Sequence, residues 1–359
     1  MSGWWTPFSV AVALVALAAV VGVGAQGVGS RPEGGDAVNH LMPIAATGRA
    51  GDPVFPFYGT QYVPVDELPV VRRLGFTVVL NDFAYDDGPA EWIGYLDAAH
   101  AQQLKVVAWL WPEGWTLDRR TGVWTIDPQA QRFLRSVAGH PALFAVYGLH
   151  EPYWNECDGC GYTTAQQQAL YRAIKAISPV PVYSEINGFA FWAERGSATT
   201  IVPGVCDYCQ TAFYPFMTDG SYKRKELIAH IQREIDALRR HAPTSRLIWT
   251  MPSMSHVGDQ LRMPTADEMR DYARLVYAQP EIAGAWWYPW RWDNDLYPDY
   301  LAKHPELFPA VCEIARTIIA PARPTATPTS TMVPRVTSVA ARCTSDLFLP
   351  KINASGRRN

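Results

Sequence analysis

Between residues 54 and 320 the sequence alternates short apolar runs with longer stretches in which apolar residues recur at helical spacing. A short apolar run between turn-forming residues predicts a buried strand, and apolar residues every three or four positions predict a helix packed by one face. The predicted strands are 54–60, 76–82, 105–111, 143–150, 181–186, 207–214, 246–252 and 282–290. The predicted helices are 66–74, 89–103, 127–138, 163–177, 223–241, 265–278 and 305–319, and the weakest helical pattern lies in the fifth connection, 189–203.

This regular alternation predicts an α/β fold with a parallel sheet, because a connecting helix returns the chain to the same edge of the sheet. Eight such repeats within roughly 265 residues are the usual size of a (β/α)₈ TIM barrel. A doubly wound open sheet is the alternative, but it predicts a Gly-rich phosphate-binding turn after the first strand. Residues 57–61, Phe-Tyr-Gly-Thr-Gln, contain no such turn. We therefore predict a TIM barrel over residues 51–320.

The segments on either side of the predicted barrel have a different character. Residues 1–25 contain a long apolar run that ends in small residues before Gln26, as at a signal-peptidase site. The first eight residues carry no Lys or Arg, so an uncleaved N-terminal membrane anchor is the alternative. Both interpretations place the barrel in a secreted or extracytoplasmic location. Residues 26–50 resemble a flexible linker, and residues 321–359 a Pro/Thr-rich linker with a disordered tail.

The net charge and the aromatic content of the chain limit the kinds of ligand that we expect it to bind. The formal net charge of -3 gives no electrostatic reason to expect nucleic acid. The chain has 14 Trp and 17 Tyr, and the ring N–H of a buried Trp needs a hydrogen-bond partner. Aromatic side chains in this number favour a surface that holds flat, partly apolar sugar rings, although a Trp-rich core is the alternative. We expect a monomer that binds a carbohydrate substrate and uses no metal or organic cofactor.

The cysteines form two CxxC pairs and two single residues, namely Cys157, Cys160, Cys206, Cys209, Cys312 and Cys343. Two such pairs match a four-thiolate zinc site, but the export signal favours disulfides. We expect a Cys157–Cys160 disulfide, with a cross-link between the two pairs and zinc as alternatives. The second pair begins a predicted strand, so its two side chains are expected to point to opposite faces. Cys343 is expected to be unpaired within the domain.

Polar and aromatic residues collect at the C-terminal ends of the predicted strands, whereas the strand starts carry nothing distinctive. In TIM barrels the C-terminal face holds the active site. The most informative position is Glu151, because an apolar run ends there and Pro152 stops the strand. The residues expected to bind substrate are Tyr58, Gln61, Asp82, Trp111, His150, Asn187, Tyr214, Trp287 and Trp290.

Three of these strand ends resemble the clan of (β/α)₈-barrel glycoside hydrolases. The clan's fourth strand ends in Asn-Glu-Pro with the Glu as general acid/base, and here the chain reads His150-Glu151-Pro152. The Tyr214-Pro215 pair resembles the clan's sixth strand, whose Tyr orients the nucleophile. Residues 284–290, Gly-Ala-Trp-Trp-Tyr-Pro-Trp, resemble the Trp-bearing strand that forms the floor of the sugar site. The resemblance implies a TIM-barrel glycosidase with Glu151 as its acid.

The chain also departs from the clan. The resemblance implies a nucleophilic Glu at the end of the seventh strand, but residues 246–256 contain no acidic residue. His150 stands where the clan has the Asn that holds the substrate's 2-hydroxyl group. Glycoside hydrolysis needs two carboxyl groups, about 5–5.5 Å apart for retention and roughly 6.5–9.5 Å apart for inversion. Asp293 is the preferred partner of Glu151 and Glu185 the next, among candidates that also include Asp82, Glu113 and Asp295.

Two functions of different class follow from these features. The first is a secreted glycoside hydrolase that cleaves O-glycosidic bonds, with inversion, through Glu151 as acid and Asp293 or Glu185 as base. The second is a catalytically inactive barrel that binds carbohydrate at the cell surface through the same aromatic residues. The retained Glu-Pro pair favours the enzyme, whereas the missing seventh-strand acid favours the binding protein.

Overall fold

The computed structural model describes residues 57–83, 87–110, 114–152, 161–186, 202–292 and 295–319. The predicted signal peptide or anchor, the linker at 26–50 and the C-terminal segment 321–359 lie outside these residues. Nearly all of the weakly helical connection at 189–203 lies outside them too. The domain boundaries at 51 and 320 therefore stay predictions.

Eight parallel strands form a closed barrel, which confirms the predicted TIM-barrel fold. The strands at 143–150 and 246–252 have the predicted bounds, and the others differ from their predicted bounds by a few residues, of which 54–56 and 111 lie outside the described residues. The barrel strands are β1 (Phe57–Gln61), β2 (Val78–Asp82), β3 (Lys105–Trp109), β6 (Leu143–His150), β7 (Val182–Glu185), β8 (Tyr208–Ala212), β9 (Arg246–Pro252) and β10 (Ile282–Tyr288). Strands β4 and β5 form a separate hairpin.

Helices follow the barrel strands and surround the sheet. They are α1 (Leu68–Arg73), α2 (Gly88–Ala101), α3 (Pro128–Val137), α4 (Thr164–Ile177), α5 (Arg224–His241), α6 (Ala266–Tyr277) and α7 (Phe308–Ile314). Thr163 and Thr265 each form a capping box, in which the Thr hydroxyl and a side chain three residues later satisfy free backbone N–H groups. None of the helices within the described ranges combines the length and the apolar content that a membrane crossing requires.

The hairpin consists of β4 (Trp115–Asp118) and β5 (Val123–Ile126), which pair in antiparallel fashion. No strand was predicted here from the sequence, because the segment is too polar and too short to resemble a barrel strand. Its two tryptophans attach it to the barrel. Trp115 Nε1 donates to the Gly148 carbonyl at 2.7 Å, and Trp124 Nε1 donates to the Gln166 carbonyl at 2.8 Å. The hairpin therefore contacts β6 just before its C-terminal end.

Alternation along each strand divides the buried side chains into two layers. One cluster fills the barrel lumen and includes Phe57, Val107, Tyr183 and Trp286. The larger cluster lies between the sheet and the helices. Gly59 on β1 gives Trp286 the room to cross the lumen, because a Cβ atom at this position would lie 2.3 Å from the Trp286 ring.

Tyr58, Trp287 and Trp290 belong to the outer layer, so their predicted role in substrate binding is wrong. The Tyr58 hydroxyl accepts from Trp287 Nε1 at 2.8 Å and donates to the Val311 carbonyl on α7 at 3.1 Å. Trp290 donates to Glu67 and stacks on Phe308. The physical reason is strand alternation: Phe57 and Trp286 face the lumen, so Tyr58 and Trp287 must face the helices.

Cys206 and Cys209 form a disulfide with a Cα–Cα distance of 5.6 Å, contrary to the expectation that their side chains point apart. The expectation placed both residues on a strand, but β8 begins only at Tyr208, so Cys206 lies in the turn before it. Because one CxxC pair is oxidised, a zinc site made of all four thiolates is not formed. The predicted Cys157–Cys160 bond lies outside the described residues, and Cys312 is also disulfide-bonded.

Tyr58→Phe should destabilise the barrel without affecting the lumen. The substitution leaves a buried Trp N–H and a buried carbonyl without their shared partner, which costs on the order of 1–3 kcal/mol of unfolding free energy. Urea unfolding followed by Trp fluorescence measures this loss. Tyr222→Phe is the control, because Asp271 keeps its ion pair with Arg224 at 2.7 Å after the Tyr hydroxyl is removed. An equal loss in both variants would contradict the bridging role of Tyr58.

Candidate functional site

The C-terminal ends of the strands bring four polar residues of the sequence prediction to the mouth of the barrel. Gln61 and Asp82 are the last residues of β1 and β2, Glu185 is the last residue of β7, and His150 ends β6. His150 and Glu185 are paired in register on adjacent strands. Glu151 follows His150 directly, so two carboxylates lie at one side of the mouth.

His150 contacts both carboxylates. Its Nε2 lies 3.6 Å from Glu151 Oε2, and its Nδ1 lies 3.4 Å from Glu185 Oε2. The Tyr147 hydroxyl donates to Glu185 Oε2 at 2.7 Å and lies 2.9 Å from His150 Nδ1. Since this hydroxyl has a single proton to donate, it accepts from a protonated Nδ1. Burial alone would lower the pKa of His150, but Glu185 and then Glu151 outweigh it and raise that pKa to about 9.

The shared histidine limits the separation of the two carboxyl groups. Both Oε2 atoms contact nitrogens of one imidazole ring, so they lie at most about 9 Å apart. Side-chain exposure is 15% for Glu151 and 10% for Glu185, so both are largely shielded and still reachable from the mouth. This separation is compatible with two-carboxylate hydrolysis, which would be excluded if no partner lay within about 10 Å of Glu151.

The backbone at the mouth is held in a strained conformation at two positions. Glu151 has φ = 39° and Tyr62 has φ = 61°, in the left-handed region that side chains other than glycine rarely adopt. The Glu151 backbone N–H donates to the Glu185 carbonyl at 2.9 Å, which fixes this conformation. A strained backbone of this kind persists only where surrounding contacts hold it in place. Here the Glu151 side chain points in a different direction from the one that a regular strand would give it.

The backbone just before the acid is packed too closely to shift. A Cβ atom on Gly148 would lie 2.7 Å from Ser184 Oγ, so only glycine allows β6 and β7 to approach this far. Ser184 Oγ also accepts from the Leu149 N–H at 3.2 Å. On its other side Gly148 accepts the Trp115 ring N–H from the hairpin. Contacts from β7 and from the hairpin therefore both hold the segment that carries His150 and Glu151.

Tyrosines surround Glu185. Besides Tyr147, the negative charge of Glu185 reaches Tyr62, Tyr183 and Tyr214, and burial followed by this charge raises the pKa of each hydroxyl. The charge of Glu151 also contributes to the raised pKa of Tyr214, whose role in orienting reacting groups stays a prediction. Under these hydroxyls Trp109 stacks on Tyr147 with ring centroids 4.5 Å apart. The carboxylates thus sit in a ring of aromatic side chains.

A shallow cleft lies at the C-terminal ends of β1 and β2. Tyr62, Asp82, Arg291 and Trp292 line it. The rings of Tyr62 and Trp292 meet edge to face with centroids 4.3 Å apart, and Arg291 pairs with Glu67. A cleft with two aromatic walls and one carboxylate is suited to the apolar faces and hydroxyl groups of a sugar ring.

The structure brings together six of the predicted site residues, namely Gln61, Asp82, His150, Glu151, Glu185 and Tyr214. Trp111, Asn187 and Asp293 lie outside the described residues, so their roles stay predictions. The sequence prediction placed Tyr288 and Trp292 at the end of the last strand without a binding role, and it did not include four other residues of the mouth: Tyr62, Tyr147, Gln210 and Tyr297. Tyr62 and Trp292 each lie next to a polar strand-end residue, a signal that was present in the sequence. Tyr147 carried no such signal, because it stands inside an apolar run.

Comparison with solved structures identifies proteins of similar fold. A GH5_18 protein from Bifidobacterium longum subsp. infantis matches with TM-score 0.54 at 12% identity over 73% of this chain and 79% of that chain. A GH5_18 protein from Streptomyces cattleya in complex with GlcNAc matches with TM-score 0.52 at 14% identity over 73% and 80%. ScGas2 in complex with compound 8 matches with TM-score 0.50 at 13% identity over 75% and 65%.

These structures are (β/α)₈ glycoside hydrolases, so the chain has a glycoside-hydrolase-like fold. At such low identity the likeness concerns the fold alone. No protein-family model matches the sequence, and no curated protein matches it either.

The stability of the protein should fall as the pH rises from about 6.5 to 9. The pKa of His150 is about 9 in the folded protein, above the unfolded value of about 6.5, so its ion pairs contribute fully below pH 6.5 and are lost as the pH passes through 9. The loss in unfolding free energy should be up to about 3 kcal/mol. Urea unfolding at a series of pH values measures it. In His150→Gln the profile should be flat over this range, and a flat profile in the wild type would contradict the assignment.

Proposed function

We propose that the protein is a secreted glycoside hydrolase that cleaves O-glycosidic bonds, with Glu151 as its general acid. The observation that carries the proposal is a pair of carboxylates, Glu151 and Glu185, joined through His150 at the C-terminal face of the barrel. Two carboxyl groups at this separation are what glycoside hydrolysis requires. The face is also where TIM-barrel enzymes place their chemistry.

In the proposed reaction the proton of the His150–Glu151 pair passes from His150 Nε2 to Glu151 and from Glu151 to the leaving-group oxygen as the glycosidic bond breaks. A second carboxylate accepts a proton from the attacking water on the other side of the sugar. His150 contacts Glu151 through Nε2, so it offers a route by which the acid regains its proton after each turnover. The strained backbone of Glu151 fixes the direction of proton delivery, because a regular strand would point the side chain elsewhere.

Two residues compete for the role of base. Glu185 is favoured by its position, since it lies beside His150 and within about 9 Å of Glu151. Asp293 is favoured by the sequence, since it follows Trp292 at the far side of the cleft, across the barrel from β6. We propose that the reaction inverts the anomeric centre, with a water molecule between the base and the sugar.

A carbohydrate substrate and an extracytoplasmic location rest on separate support. The aromatic cleft suits sugar rings, and a solved structure of similar fold holds GlcNAc. The Cys206–Cys209 disulfide is consistent with an oxidising compartment, as is the apolar N-terminal segment. We propose export on these grounds.

Glu151→Gln should lower turnover without unfolding the protein. Loss of a positioned general acid costs roughly 10²–10⁴-fold in rate. Hydrolysis is measured on a panel of 4-nitrophenyl glycosides and neutral oligosaccharides, with Glu306→Gln on the exposed surface as the matched control. A wild type that binds panel glycans but hydrolyses none would overturn the enzymatic proposal in favour of a carbohydrate-binding barrel.

The identity of the base follows from comparing Glu185→Gln with Asp293→Asn. The variant that lacks the base should lose about 10²-fold or more in rate, and the other variant should lose much less. Proton NMR of the first sugar released shows its anomeric configuration, which we expect to be inverted. Retention of configuration would exclude the water-mediated arrangement and require a covalent intermediate.

A further inference from the structure

Gln210 lies beside Glu185 in the barrel and has an amide group that forms only part of its possible hydrogen bonds. It is on the lumen face of β8, in register with Glu185, and is 1% exposed. Its Oε1 accepts from Gln61 Nε2 at 3.4 Å, a long hydrogen bond. Its Nε2 donates to no atom of the described residues. A buried amide nitrogen without an acceptor opposes folding, because it has lost its water without replacement.

Exchanging the amide oxygen and nitrogen does not remove this imbalance. If both Gln61 and Gln210 are flipped, the Gln210 nitrogen donates to the Gln61 oxygen, and the Gln61 nitrogen becomes the free donor. In either orientation, one amide N–H group of the Gln61–Gln210 pair therefore has no acceptor. The position matters, because both side chains point into the lumen at the level of the catalytic pair.

A second polar group of the same kind lies next to Gln210. Thr250 is on the lumen face of β9, the strand paired with β8, and its register partner Ala212 is two residues beyond Gln210. Thr250 is fully buried, and its hydroxyl has no partner among the described residues. Two unpaired polar groups on adjacent strands, close to the level of Glu185, form a polar lining of the lumen together with Gln61.

We infer that Gln210 is a substrate-binding residue whose amide donates a hydrogen bond to one hydroxyl oxygen of a neutral sugar ring held against Glu185. The inference rests on the proposed function and names the kind of group that the site recognises. A bound hydroxyl supplies the acceptor that the folded protein lacks, and Thr250 is placed to bind the same sugar. A site built to hydrogen-bond a substrate hydroxyl rejects an analogue without it, because the buried donor is then left unpaired.

The test is a double-mutant cycle between Gln210 and the substrate. The probes are the 4-nitrophenyl glycoside that the wild type hydrolyses fastest and its set of monodeoxy analogues. In the wild type, one deoxy analogue should lose about tenfold or more in kcat/KM. In Gln210→Met, the parent glycoside should lose a similar factor, and the same deoxy change should then cost less than about twofold, because the contact is already gone.

Gln167→Met is the matched control. Gln167 is also buried, on α4, but its Nε2 donates to the Tyr162 carbonyl at 3.0 Å, far from the mouth. This variant should unfold at a lower temperature and keep the full deoxy effect. The variant Gln61→Met/Gln210→Met removes both amides, so it should unfold at a temperature no lower than the wild type while showing the same loss of recognition.

Three outcomes overturn the inference. If the wild type recognises no glycan of the panel, the proposed function fails and the inference with it. The wild type could instead be active while the loss of kcat/KM from Gln210→Met and the loss from each deoxy change act independently, so that the two factors multiply. In that case Gln210 does not contact the sugar and only the inference fails. If the double variant unfolds at a much lower temperature, the amides are structural, for instance around an internal water.

Discussion

Strand alternation in a closed barrel is the constraint on which the rest of this structure depends. Each strand can send only every second side chain into the lumen, and parallel pairing fixes which residues share a level. Once Phe57 and Trp286 occupy the lumen, Tyr58 and Trp287 must pack against the helices. The same rule places Glu185 and Gln210 side by side beneath the mouth. The register of the barrel strands thus determines which polar side chains face the site.

One of the three register shifts between described barrel strands lies where the two carboxylates meet. The register between β6 and β7 shifts between Tyr147 and His150, so these residues lie three positions apart and still face the same side. Without the shift the Tyr147 hydroxyl would not lie 2.9 Å from His150 Nδ1 while also donating to Glu185. A register shift of this kind changes the direction of side chains at functional sites. It also interrupts the regular series of backbone hydrogen bonds between the strands.

The barrel and the strand that ends just before Glu151 could be predicted, because both depend on local patterns. The apolar run 143–150 and the Pro that ends it are visible in the sequence, and the structure has the same strand. The inward or outward direction of Tyr58 and Trp287 could not be predicted, because a strand buried on both faces shows no alternation of polarity. The hairpin at 115–126 and the Cys206–Cys209 bond depend on turn geometry and on contacts distant in sequence, which local patterns do not encode.

The Trp115–Gly148 hydrogen bond has a consequence for how the site meets its ligand. It ties the end of β6 to an insertion outside the barrel, while Ser184 closes on the same glycine from β7. The segment that carries Glu151 is therefore ordered before any sugar arrives. A ligand then loses little affinity to reorganisation of the protein, and preorganised dipoles act on it from the first contact. An indole ring in a short hairpin thus limits the motion of the residues at the barrel mouth through a contact with the backbone of β6.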